Sequence, residues 1–156
     1  LVAPAGFTPP GVRRALACRA LGTPGLLAAL EPALTALYLA PANPATRAIL
    51  AEQRAARAAA DHHASIAAFA ALWRSFDRPA ADLRAAVRSV TAPAIILRGA
   101  LDPICTAADA RRASESIGER AALEVVLPNA GHLPFLQQPE RFTGAVRGLL
   151  ETVEAG

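Results

Sequence analysis

Lysine and methionine are both absent from this sequence of 156 residues, and aromatic side chains are scarce. All 16 basic residues are arginines, which lie scattered along the chain among 13 acidic residues. Because aromatic residues make up only 4% and few lie near the arginines, there is no stacking surface of the kind that nucleic-acid-binding proteins use. We therefore expect a mildly basic surface that binds no nucleic acid.

Cysteine is rare as well, since only Cys18 and Cys105 occur and they lie far apart in the sequence. Neither belongs to a C-x-x-C pair or to a cluster of metal-ligating residues. Nothing therefore indicates a disulfide scaffold or a metal site, although spacing alone leaves a single disulfide open. We predict that both are small buried hydrophobic side chains.

Long apolar runs are missing too. The longest uncharged stretch, Pro32 to Thr46, is interrupted by prolines and is too short to cross a bilayer, so we expect no membrane span. The first residues lack the basic region and apolar run of a signal peptide, which favours a cytoplasmic location. The missing methionine and the abrupt apolar start LVAPAGF lead us to expect a piece of a longer protein.

The residues that are present indicate an α/β protein of the size of one domain. Hydrophobic residues make up 53%, but 40 of the 156 residues are alanine, so we expect a core of small side chains. Residues 12–88 contain no convincing strand and read as alanine-rich helices separated by proline and glycine. The predicted helices are Val12–Leu21, Leu26–Leu39, Ala45–Ala60, His62–Phe76 with Asp61 as its cap, and Asp82–Ser89.

Two short apolar runs rich in β-branched residues follow, Ala94–Leu97 and Leu123–Leu127, and they predict strands of a parallel sheet. Between them, Thr106 can cap a helix over Ala107–Ile117, with Asp109 at the capping-box position. After the second run, residues 128–139 read as a loop, and a final helix starts at Glu140. The segment is therefore a strand, crossover helix and strand.

Each predicted strand leads into a loop that carries one chemically active residue, Asp102 after the first and His132 after the second. The ends of parallel strands meet at one edge of the sheet, so the two side chains should lie close together. A carboxylate beside an imidazole fixes the ring tautomer and stabilises the ring when it takes a proton. Either residue alone would more often be an ordinary loop residue, but the pair at matched positions indicates proton transfer.

These loops resemble those of the alpha/beta-hydrolase family. The resemblance rests on APAIIL before Gly99-Ala-Leu-Asp102, on Gly131-His-Leu-Pro134, and on Pro139, Glu140 and Phe142 at the start of the last helix. It covers residues 90–153 well. It covers the rest more loosely, with residues 1–11 as a strand and linker of the hydrolase core and residues 12–89 as an inserted helical cap. The family fold implies about three parallel strands with crossover helices in this portion, and residues 90–156 as the C-terminal lobe.

The resemblance implies that Asp102 and His132 are the catalytic acid and base, with no cofactor and no metal. A cap would cover the strand ends, so Phe69, Trp73 and Leu133 are candidates for substrate contact. For Phe69 and Trp73, packing among the cap helices is the stronger expectation. The adjacent His62 and His63 diverge on a helix and are expected at the cap surface rather than on a metal.

One part of the family pattern is missing, because no serine in this sequence lies in a G-x-S-x-G elbow. The nucleophile therefore stays open, and it could be Ser or, as in the family's dehalogenases and epoxide hydrolases, Asp. A smaller departure is Gln137, where many members carry Glu.

Two functions follow from these expectations. In the first, the chain is part of an enzyme that hydrolyses a small, largely apolar ester or related acyl substrate, with the missing N-terminal lobe as a possible partner. In the second, it is a non-catalytic fragment or binding module that keeps the fold signature.

Overall fold

The computed structural model describes residues 1–59, 61–118 and 121–154, and the side chains of residues 121–123 lie outside that description. A helical region comes first, and a small parallel sheet with its helices follows. The elements are α1 (Val12–Leu21), α2 (Pro24–Tyr38), α3 (Pro44–Ala56), α4 (His62–Ser75), 3₁₀ turns at Pro79–Ala81 and Ala86–Ser89, β1 (Ala94–Gly99), α5 (Ala107–Ile117), β2 (Ala121–Leu127), α6 (Pro134–Gln137) and α7 (Pro139–Glu154).

The helix boundaries largely follow local sequence signals. Both α1 and α5 have the predicted bounds, and Thr106 and Asp109 form the expected capping box at the start of α5. Proline opens α2 and α3, where its missing N–H costs no helical hydrogen bond. Pro32 stays inside α2. The predicted extension of α3 to Ala60 is wrong at residues 57–59, which are turn and bend, and Ala60 itself lies outside the described residues.

Three local predictions are corrected. Residues 82–89 do not form one helix, because the Asp82 carboxylate binds the Arg84 backbone and guanidinium while the Leu83 N–H donates to Gly6. Asp61 precedes α4, but its side chain makes no capping hydrogen bond. The stretch predicted as a loop between Pro128 and Pro139 contains the short helix α6.

The sheet pairs β1 with β2 in parallel, and the register runs from Ala94 opposite Ala121 to Gly99 opposite Leu127. On the other side of β1, Val2 forms a single parallel bridge with Leu97. The Leu97 N–H donates to Leu1 and the Ala3 N–H donates to Leu97, both at 2.8 Å. Among the described residues, two strands and one bridging segment thus stand where the family resemblance implies about three parallel strands.

The predicted core of small side chains is found only in part, because among the described residues the buried hydrophobic side chains include nine of Leu, Ile or Phe and four of Ala. One cluster joins the sheet to α5 through Ile96, Ala110, Ala113 and Ile117, with Phe7 against them. A second joins the other sheet face to α7, and a third holds α2 and α4 together through Leu27, Ile66 and Ala70. Both cysteines are buried and free, so the predicted hydrophobic role is confirmed.

No single helix among the described residues is long and apolar enough to span a membrane; α1 and α2 have that length and composition only as a pair bent by 98°.

Candidate active site

The Asp102 carboxylate is held by its own loop. It lies just beyond β1, and its side chain is fully buried. One oxygen, Oδ1, accepts the backbone N–H groups of Ile104 at 2.7 Å and Cys105 at 2.9 Å. The carboxylate is therefore fixed by donors that follow it directly in sequence.

These contacts keep Asp102 ionised. Burial alone would raise the pKa of this carboxyl group, but the hydrogen bond with His132 and the N–H groups of Cys105 and Ile104 outweigh it. The pKa of Asp102 consequently lies below its usual value. At neutral pH the group is a buried anion that can only accept hydrogen bonds.

His132 lies against this anion. Its Nδ1 is 3.0 Å from Oδ2 and 3.1 Å from Oδ1 of Asp102. Because the carboxylate accepts, Nδ1 carries a hydrogen, and in the neutral form of the ring Nε2 then has the lone pair. The His132 side chain is 20% exposed, so the imidazole is not sealed inside the protein. The structure thus brings the two predicted site residues into direct contact.

The histidine loop is held from a distance. The Gly131 N–H donates to Oε1 of Gln137 at 2.6 Å, and Nε2 of Gln137 donates to the Ala40 carbonyl at 2.6 Å. We call this pair of bonds the Gln137 bridge. Beside it, Nδ2 of Asn43 donates to the Leu136 carbonyl at 2.8 Å. The loop at residues 39–43, between α2 and α3, therefore supports the loop that carries His132.

Two positions of this site are glycine because another backbone segment lies too close to leave room for a Cβ. A Cβ on Gly131 would collide with the carbonyl oxygen of Ala40, and a Cβ on Gly99 would collide with the carbonyl oxygens of Ala130 and Gly131. Any larger residue would push these segments apart.

Tyr38 is a site residue that the sequence reasoning missed. Its ring packs on His132, with the ring centroids 5.1 Å apart and the planes tilted by 56°. Burial, followed by the negative charge of Asp102, raises the pKa of the Tyr38 phenol. The residue therefore packs a neutral phenol ring against the imidazole. A tyrosine at the end of a predicted helix carries no signal of such a position.

A cavity of about 230 Å³ opens beside His132. Helices α1, α2 and α4 contribute Arg14, Tyr38 and Trp73 to its wall, and the loops after Leu1–Ala3 and β1 contribute most of the rest. A second cavity of about 430 Å³ lies within the helical region and is lined by Phe69 and His62. Tyr38 lines both cavities.

The three predicted substrate contacts fall in different places. Trp73 lines the same cavity as His132, whereas Phe69 lines the second cavity. Leu133 directly follows His132 and precedes α6 but lines neither cavity. Of the two adjacent histidines, His62 lines the second cavity and His63 is exposed.

The hydroxyl and thiol groups of the His132 cavity are not activated. Burial, with the charges of Asp102 and Asp109, raises the pKa of Cys105 to about 12. Burial and Asp77 likewise raise the pKa of Cys18. The Thr8 hydroxyl donates to Asp109 at 2.9 Å. These groups are therefore poor nucleophiles as they stand.

Within the part of the chain that the structure describes, no three His, Cys, Asp or Glu residues are grouped so that they could hold a metal ion.

Comparison with known proteins agrees with this geometry. A model described as the alpha/beta hydrolase family matches residues 1–145. No curated protein and no solved structure matches the chain. The family match spans nearly the whole length, including the segments that bear Asp102 and His132, and the chain belongs to the alpha/beta hydrolase family.

Proposed function

We propose that this chain supplies the acid and the base of a hydrolase that cleaves a small, largely apolar ester or related acyl substrate. One observation carries the proposal: Nδ1 of His132 lies 3.0 Å from a buried Asp102 carboxylate, while the ring borders a cavity. Membership of a hydrolase family makes hydrolysis the expected reaction class.

In this proposal His132 handles the proton. Nε2 removes the proton from a hydroxyl nucleophile as that group attacks the acyl carbon, and the imidazolium later protonates the leaving group. Asp102 accepts the Nδ1 hydrogen, so it holds the ring in the productive tautomer and stabilises the imidazolium. If the nucleophile is instead an Asp, His132 activates the water that hydrolyses the covalent intermediate.

The nucleophile and the oxyanion donors come from a polypeptide segment outside these residues. The proposal is supported by the sequence, which has no G-x-S-x-G, and by the inactive thiols of the cavity. Among the described residues, Leu1–Ala3 pairs with β1 alone, so its other edge can accept a further strand. A strand that pairs there would carry its following turn to the same sheet edge as His132.

Residues 12–89 act as the cap over this site. Support comes from Arg14, Tyr38 and Trp73, which reach the His132 cavity from three different helices of that region. A lid of this kind excludes water from the reacting groups and shapes the pocket.

The test is ester hydrolysis, with short-chain p-nitrophenyl esters as the probe, by the protein expressed with the coding sequence upstream of Leu1. His132→Ala should remove nearly all turnover, and Asp102→Asn should lower kcat by about 10⁴, as in other triads of this type. His63→Ala is the matched control, because this histidine is exposed and outside the cavity, and it should leave kcat unchanged. Wild-type rates in His132→Ala would refute the role of His132.

The upstream sequence also separates the two candidate functions. A G-x-S-x-G or an equivalent Asp elbow there favours the enzyme. If the protein has no such elbow and no turnover, the chain is instead a binding module that keeps the hydrolase fold.

A further inference from the structure

The wall of the cavity beside His132 includes a cationic side chain that the proposed chemistry does not use. Arg14 on α1 lines this cavity. Its Nη1 donates to the Thr8 carbonyl at 2.7 Å, but its Nε is buried and has no hydrogen-bond partner among the described residues. Buried donors are nearly always paired, so an unpaired one calls for an explanation.

The carboxylates around Arg14 are bound elsewhere. Asp109 lines the same cavity, and its oxygens accept Thr8, Thr106 and Arg112. Asp82 is within electrostatic range of Arg14 but is held by Arg84 at 2.6 Å. Asp77 acts on Cys18, and none of the ion pairs among the described residues joins it to Arg14. Within the described residues, Arg14 thus forms no salt bridge.

A second unpaired donor lies on the same wall. The indole Nε1 of Trp73 is buried without a partner among the described residues, and Trp73 also lines the cavity. Both unpaired groups belong to residues that line the cavity, and both are donors that cannot accept. The complementary group on a ligand is therefore an acceptor, and beside a guanidinium the best acceptor is an anion with planar oxygens, a carboxylate.

The rest of the wall limits the ligand. Phe76 and Ile104 are apolar, and the volume of about 230 Å³ admits only a short chain. His132 and Arg14 border the same space, so one small molecule can reach both. An acyl chain with its reactive carbonyl near His132 and a carboxylate at its other end fits this arrangement.

We propose that Arg14, together with Nε1 of Trp73, binds a carboxylate of the substrate, so that the hydrolase acts on short acyl compounds that carry an acid group. This inference rests on the proposed function in that the His132 cavity is taken as the substrate site. It narrows the substrate class from a largely apolar ester to an ester whose apolar chain ends in an anion.

Binding can be tested without turnover, because Trp73 is the single tryptophan of the chain and its indole N–H gives one NMR signal. The probe is monomethyl glutarate, compared with its neutral amide, methyl 5-amino-5-oxopentanoate. The acid should bind at least about tenfold more tightly than the amide, because its hydrogen bonds to the guanidinium are charge-assisted. It should also move the indole N–H signal downfield in a saturable way.

Arg14→Gln should reduce this preference to about onefold, and Arg14→Lys should keep part of it, because the charge remains while the planar fork is lost. Arg13→Gln is the matched control, since Arg13 is the exposed neighbour on the same helix and does not line the cavity. Far-UV circular dichroism checks that each variant is folded. If Arg14→Gln is not folded, the acid preference of Arg14→Lys is used as the test instead.

Equal affinity for the acid and the amide, or a preference that survives Arg14→Gln, would overturn the inference. The proposed function would still stand in that case if His132→Ala abolishes ester hydrolysis. Conversely, the protein could show no turnover and still bind the acid in a way that depends on Arg14. That result would support the carboxylate site and refute only the proposed hydrolase function.

Discussion

The two loops that bring Asp102 and His132 together are held in opposite ways. The Asp102 loop is fixed by the backbone N–H groups of Ile104 and Cys105, which follow the carboxylate immediately. The histidine loop is fixed by the Gln137 bridge, whose bond to the Ala40 carbonyl spans 97 positions in the sequence. The two loops are also joined to each other, because the Leu101 N–H donates to the Ala130 carbonyl at 2.8 Å. Among the described residues, it is the histidine loop that is hydrogen-bonded to the helical region.

This difference shows which half of the site can move. Asp102 keeps its position as long as β1 and its own loop are intact. His132 is supported in addition by the loop at residues 39–43, and that loop directly follows Tyr38, which packs on the imidazole. Displacement of the helical region would thus disturb His132 more directly than Asp102.

The largest expected effect comes from forcing the two supporting loops apart. In Gly131→Ala the new methyl group would collide with the Ala40 carbonyl, which is backbone and cannot rotate away. We expect a loss of roughly 3 kcal/mol in the free energy of unfolding, the upper range for overpacking, measured by urea denaturation. The Nδ1–H signal of His132 should also weaken, because the ring is pulled from Asp102.

Gly144→Ala in α7 is the matched control for this substitution. Its Cβ would meet nothing within 4 Å, and alanine is the better helix former, so stability should rise by about 0.5–1 kcal/mol. If Gly131→Ala behaves like Gly144→Ala, the histidine loop does not depend on residue 40.

An intermediate effect is expected when the Gln137 bridge is removed without adding bulk. Gln137→Leu keeps the shape of the side chain but leaves the Gly131 N–H and the Ala40 carbonyl without this partner, which should cost about 1–3 kcal/mol in the free energy of unfolding. Gln137→Glu retains the acceptor for Gly131 and loses the donor to Ala40.

Gln137→Glu gives a sharper test than Gln137→Leu, because its loss of unfolding free energy should depend on pH. An ionised carboxylate faces the Ala40 carbonyl unfavourably, whereas the protonated acid can donate to it. The stability of Gln137→Glu relative to Gln137→Leu should therefore increase as the pH is lowered from 7 to 5 in urea titrations. A difference between the two variants that does not change with pH would mean that the side chain at position 137 does not contact Ala40.

The same contrast explains how much of the molecule could be predicted from its sequence. The Asp102 and His132 loops follow predicted strands, and the Thr106–Asp109 capping box is confirmed, because each signal lies within a few neighbouring residues. The position of Tyr38 and the Gln137 bridge were missed, because contacts between distant segments leave no periodic pattern. The catalytic roles of Asp102 and His132 remain predictions.

The wrong helix over residues 82–89 follows the same rule. Its alanine content favours a helix locally, but Leu83 donates its N–H to Gly6, and the Asp82 carboxylate binds the next turn instead. A distant partner thus overrode a local preference. Nearness in sequence did not guarantee success, however, since the Asp61 cap and the short helix α6 are local features that were predicted wrongly.

The smallest expected effect is the energetic coupling between a helix cap and the Gln137 bridge. It should be present for a cap that contacts the histidine loop and absent for a cap that does not. Asn43 caps α3 and also donates to the Leu136 carbonyl, so it shares the histidine loop with Gln137. Thr106 caps α5 and contacts neither partner of the Gln137 bridge. Either cap replaced by Ala should cost about 1 kcal/mol.

A double-mutant cycle then measures whether each cap is coupled to the bridge. Asn43→Ala combined with Gln137→Leu should deviate from additivity by about 0.5–1 kcal/mol, because the first substitution already loosens the segment that the second releases. Thr106→Ala combined with Gln137→Leu should be additive within about 0.5 kcal/mol. Unfolding free energies from urea titrations of the wild type, the two single variants and the double variant of each cycle give both values. Equal coupling in the two cycles would mean that the acid and histidine loops are held as one unit, and the distinction between them would fail.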